Sequence, residues 1–141
     1  MGPDRLPPLP ESSLSPAQQR AAAELATGPR GAVFGPFVPL LRSPDFLSPL
    51  QKAGEYLRYK SALPPRLSEF AILIVARRWN QQYEWHVHRP IAERAGVPAG
   101  HVQAVAEGRR PDGMAADQAV VHDFLQELQA NRGVSDATYG R

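Results

Sequence analysis

Cysteine is absent from the 141 residues. That excludes disulfides, thiolate metal sites, Cys–His nucleophiles and every thiol peroxidase mechanism, because each requires a sulfur anion. A charge excess of either sign is also missing: 16 Lys and Arg stand against 14 Asp and Glu, a formal net charge of +2. No polyanion is demanded as a partner, and nucleic acid is not expected. No apolar run approaches the roughly 20 residues that cross a bilayer. The stretch from Met1 to Pro10 lacks the apolar core and small-residue cleavage site of a secretory signal, so the expectation is a cytoplasmic protein without a membrane partner. Strand-like alternation and repeats of 20- to 50-residue period are missing as well, which leaves an all-α architecture.

What is abundant is proline, with 15 residues. Prolines at positions 3, 7, 8, 10 and 16 lock φ and remove backbone donors, so residues 1–14 read as a flexible, extended arm and residues 15–141 as one helical domain. Ser15 and Pro16 open a first helix that Gly28-Pro29 stops, and Ser43-Pro44 opens a second that ends before Pro64. The segment between them, rich in Gly, Pro and Phe, reads as a loop with one short turn. Phe70 to Ala76 has no polar face; proline at its entry and Arg77-Arg78 at its exit argue for a helix over a strand. An apolar helix of this kind is central in its domain or shared between subunits. Helices over Tyr83–Ala95, Pro98–Glu107 and Ala115–Asn131 follow, closed by Gly96, Gly108 and Gly133, with Val120, Val121, Phe124, Leu125 and Leu128 of the last turned inward. Ser135-Asp136 looks like the cap of a further helix.

Polar chemistry concentrates directly after the apolar helix. Glu84 and His88 are four residues apart, on one helical face and close enough for the carboxylate to orient the imidazole. If the two helices pack antiparallel, Glu69, in the first turn of the apolar helix, reaches the same pocket. Pro90 cannot donate to the carbonyl of His86, which frees that oxygen beside the site. The same Glu–His spacing also serves a solvated helix face, and both readings stand on sequence alone. His86 and His88 are two apart and diverge, so no metal site is expected. Arg77 and Arg78 suit a substrate carboxylate or simply the negative end of a helix dipole. Trp79, Tyr83 and Trp85 flank the cluster, and His101 and His122 read as surface or interface residues.

The stretch Arg66 to Trp79, followed by Asn80 to His88, resembles the carboxymuconolactone decarboxylase family, the AhpD-like group that also contains the alkylhydroperoxidases. On the peroxidase pattern Glu69 takes the Glu place, Gln81 and Glu84 take the two cysteine places and His88 takes the His place. The redox pair is gone, and Glu84 with His88 is more similar to the decarboxylase branch. The resemblance implies an AhpD-like helical domain in an intertwined homo-oligomer, a trimer or hexamer, with one or two helices beyond residue 141. It implies a cofactor-free lyase acting on a small carboxylated lactone or enolisable acid. In that scheme His88 is the proton shuttle, Glu84 its orienter and Glu69 a second carboxyl that holds a proton. Arg77 or Arg78 anchors the anion, and Tyr83, Trp79, Gln81 and His86 complete the substrate contacts. Peroxide reduction and a non-catalytic binding role on the same fold are the rival implications.

Overall fold

The computed structural model describes residues 4–141; the first three residues of the proline-rich arm lie outside them. Among the described residues all regular structure is helical: α1 (Pro16–Thr27), α2 (Phe37–Leu40), α3 (Pro44–Tyr59), α4 (Pro65–Arg78), α5 (Gln82–Arg94), α6 (Ala99–Ala106), α7 (Ala116–Asn131) and α8 (Asp136–Tyr139). No helix among them is long and apolar enough to cross a membrane.

The helix starts follow from local chemistry. Ser15 Oγ accepts from the Gln18 amide while the Gln18 side chain accepts from the Ser15 amide, a reciprocal capping box, with Pro16 at the first helical position. Pro44 and Pro65 open α3 and α4 in the same way, although the Ser43 side chain makes no capping bond. The ends share one device. α4, α5 and α6 each close with a left-handed residue (Asn80, Gly96, Gly108), and the next amide reaches back five residues, as in Gln81 N to Ala76 O at 2.8 Å and Arg109 N to Ala104 O at 2.9 Å. α7 differs from expectation. Arg132, not Gly133, holds the left-handed position, at φ 60°.

The chain divides into two compact units, Met1–Ser61 and Ala62–Arg141, where the sequence suggests a single body from residue 15. The reason is visible in the side chains, which form two separate apolar cores. In the first unit α1 and α3 pack together around Ala21, Leu25, Phe37, Leu41 and Leu47. The arm is not free of this unit: Glu11–Ser13 forms a single 3-10 turn, Leu14 packs on the core and Arg42 donates to the Pro7 carbonyl at 2.6 Å. Of the apolar positions read along α3, Leu47 is buried while Phe46, Leu50 and Leu57 are exposed.

In the second unit α4 packs against α5, α6 and α7, and Phe70, Leu73 and Ile74 meet Ala92, Val97, Val102 and Val105. α4 is central, as its composition requires, yet only one side is covered. Val75 and Trp79 stand on the outer side, 38% and 68% exposed. On α7 the inward residues are Gln118 and His122, with Val121 and Leu125 partly buried and Leu128 exposed. This corrects the expectation of a purely apolar inner face. Each polar side chain that turns in has a partner there, His101 at Gln118 Oε1 and Asp123 at His122 Nδ1, although the Gln118 amide nitrogen is left buried without one.

Candidate functional site

α4 and α5 are joined by the tight turn at Trp79–Gln81, and two helices so connected run antiparallel. Residues at similar distances from the turn therefore face one another. Glu69 on α4 and His88 on α5 meet in this way, both buried, with His88 Nδ1 2.6 Å from Glu69 Oε2. Glu69 lies past the first turn of α4, since the helix already begins at Pro65. It serves the ring rather than the helix N-terminus. One turn before His88 on α5, Glu84 brings Oε2 to 3.4 Å from Nε2. The ring is thus held between two carboxylates, one on each nitrogen.

The burial of the three groups is unequal, and that sets their order. Glu84 retains 39% of its side-chain exposure and the His88 side chain 8%. Nδ1 of the ring faces the sealed Glu69 and Nε2 faces the half-exposed Glu84. Glu84 is also the member that lines a pocket. That pocket, of about 520 Å³, is walled by Ala71, Ile72, Val75, Ala76 and Trp79, with Gln81 and Glu84 as its polar groups. The line therefore runs from the core outward: Glu69, His88, Glu84, pocket. The expected assignment has His88 meeting substrate and Glu84 orienting it; of the two, Glu84 is the one on the pocket wall. A ring this buried is reached through its acid.

The other candidates separate. Trp79 and Gln81 line the pocket with Glu84. Arg77 does not. It borders a neighbouring pocket of about 410 Å³ with Asn80, Gln82 and Trp85, where its Nε donates to the Ala106 carbonyl at 2.7 Å. That bond ties α4 to the end of α6 and fits the helix-terminus reading of this cation. Arg78 faces a third cavity, beside α6 and α7. Tyr83 and His86 are exposed and line none of these pockets. At about 100° per residue, Arg77 lies on the side of α4 opposite Val75, whereas Arg78 stands at the edge of the Val75 face and lines the cavity beside α6 and α7 instead. Ile72 and Val75 were missed as site residues, although their three- and four-residue steps to Trp79 on an apolar helix marked one continuous stripe.

Among the described residues no group of three or more His, Asp or Glu side chains is arranged to hold a metal ion. Glu69 and Glu84 lie on opposite nitrogens of one ring, so their oxygens diverge from any common centre.

Comparison with curated proteins and with solved structures gives no significant match. The model of the carboxymuconolactone decarboxylase family matches residues 44–122, a span that contains Glu69, Glu84 and His88 and more than half of the chain. With its all-helical fold, the chain belongs to the carboxymuconolactone decarboxylase family.

Proposed function

We propose that this chain is a cofactor-free decarboxylase-like enzyme that acts on a small carboxylated lactone or related enolisable acid at the Glu84 pocket. The observation that carries the reading is the unbroken path from Glu69 through His88 to Glu84, ending on an apolar wall. When such a lactone loses CO2, the bonding electron pair passes into the ring as an enolate, and a proton must then be delivered to carbon. Glu84 in its acid form delivers that proton. The doubly protonated ring of His88 returns one from Nε2 to Glu84 and is left neutral with its hydrogen on Nδ1 towards Glu69, and water restores the spent proton through the half-exposed Glu84. The lining of this pocket contains no cation. A substrate carboxylate beside Ile72, Val75 and Trp79 therefore finds no counter-charge in the lining to hold it against the loss of CO2.

The same reading takes the chain as a homo-oligomer, a trimer or hexamer. The exposed stripe of Val75, Trp79 and Tyr83 along α4 and the start of α5 supports it, since grouped apolar side chains of this size seek cover.

The test is turnover of a carboxylated lactone in deuterated water, followed by NMR for loss of substrate and deuterium at the quenched carbon. E84Q is expected to lower the rate by about 10²- to 10⁴-fold, the usual worth of a general acid, with the fold intact by circular dichroism. No turnover by the folded wild-type chain, together with unaltered ligand binding in E84Q, would favour the non-catalytic binding role.

A further inference from the structure

On the side of α4 away from Glu84 lies a smaller cavity, about 250 Å³, between the ends of α4 and α6 and the middle of α7. Its polar lining consists of Arg77, Arg78, Arg109, His122 and Gln126, with no carboxylate among the lining residues. Ile74 and Val105 form apolar wall, and a wall of that kind strengthens every charge beside it. The geometry points to a binding site for a tetrahedral oxyanion, phosphate or the phosphoryl group of a small phosphomonoester, separate from the Glu84 pocket and independent of the reaction proposed there.

Arg77 and Arg78 both stand in the last turn of α4 and suit its negative end, yet only Arg77 is tied down by a bond of its own. Arg77 Nε takes the Ala106 carbonyl, and the other late carbonyls of α6 are used by the turn itself, Ala104 by Arg109 N and Val105 by Gly108 N. Nothing is left there for Arg78 to cap. Among the described residues Arg78 makes no hydrogen bond or ion pair, and neither does the Gln126 amide. Arg109 is paired with Glu107, to which it donates from Nε at 2.8 Å and from Nη2 as well, so its Nη1 is the nitrogen left for a guest. Gly108 forms part of the wall at φ +73°, a left-handed conformation that glycine takes without strain.

His122 gives the second, independent indication. It is 5% exposed, its ring stacks on Phe70, and its Nδ1 is occupied by Asp123 Oδ1 at 3.2 Å. Its Nε2 has no hydrogen-bond partner among the described residues. A buried imidazole with one nitrogen open beside three guanidinium groups suits an anion that can use either of its states. Phosphate donates an O–H to neutral Nε2, or accepts from the protonated ring. Forked guanidinium donors match phosphate oxygens two at a time. The volume limits the guest to one small group.

The experiment titrates the full chain with inorganic phosphate, methyl phosphate and acetate at constant ionic strength, followed through the arginine Nε–H and histidine ring signals by NMR. The expected result is saturable binding of phosphate or methyl phosphate, with shifts centred on Arg78, Arg109 and His122. The tighter of the two tells a free anion from a phosphomonoester. Acetate should bind at least about tenfold more weakly, and R78A should weaken phosphate by about tenfold or more, the worth of one charge-assisted bond. R94A, which removes a cation of α5 outside the cavity, should change nothing. No saturation by either phosphate below about 10 mM, equal affinity for acetate, or equal losses in R78A and R94A would each overturn the assignment. Arg78 is exposed and unpaired, so R78A is expected to fold, with the circular dichroism melt as the check.

Discussion

Two buried histidines, His88 on α5 and His122 on α7, are built alike on one nitrogen and differently on the other. Each has a carboxylate at Nδ1, Glu69 at 2.6 Å and Asp123 at 3.2 Å. Beyond Nε2 the first meets a second carboxylate, Glu84, on an apolar pocket, while the second meets a cavity walled by arginines. A ring placed between two acids passes protons. The same ring set among cations accepts or donates one hydrogen bond to a guest. The difference lies less in the histidine than in what stands across from its outer nitrogen.

The carboxylates behind the two rings are themselves unlike, and that is where the comparison is most easily broken. Glu69 is sealed in the core, so E69A leaves a buried ring donor without a partner. An unfolding free energy lower by about 3–5 kcal/mol is expected, measured by urea titration, with E69Q milder because it keeps an acceptor. Equal losses in E69A and E69Q would show that the carboxylate charge, not side-chain bulk or a neutral acceptor, holds His88 in place.

The outer acids differ next. H88Q keeps much of the side-chain bulk but cannot carry a proton, so its loss of lactone turnover should approach that of E84Q while phosphate binding at the other cavity is unchanged. H122Q should do the converse. A single-site loss of both properties in either variant would merge the two sites into one.

The smallest effect concerns Asp123, which Arg110 first, then His122 and Arg141, pull from 3.8 to about 2. A carboxyl lowered in the folded state adds stability above its unfolded value and gives it up as pH falls through the folded one. The contribution is complete above about pH 4 and fades towards about pH 2. Melting temperatures at about pH 5 and about pH 2.5 should therefore converge slightly in D123N relative to wild type. The exposed arginine partners keep the effect modest.

Much of the helix order was legible in the sequence because its punctuation is local. Ser15-Pro16, Pro65, Gly96 and Gly108 each act within one turn of chain, and the structure places helix ends at them. The meeting of Glu84 with His88 was legible for the same reason, as a four-residue step on one helix. What escaped is set by distant partners. That His122 turns inward depends on Phe70, on another helix, and that Gln118 does so depends on His101, 17 positions away. The order of the proton path escaped too, since helical spacing pairs Glu84 with His88 without saying which of them the fold seals. Arg77 and Arg78 read as one dipeptide, yet one ties α4 to α6 and the other faces the cavity beside α7.

The turn at Asn80 has a consequence for how the Glu84 pocket can be watched. The Gln81 amide is tied to the Ala76 carbonyl at 2.8 Å, and both residues belong to the pocket lining. That single N–H is therefore a built-in clock: it exchanges with deuterium only when the floor of the cavity unravels. Slowing of its exchange by an added lactone would register occupancy of the site even in a variant that performs no chemistry.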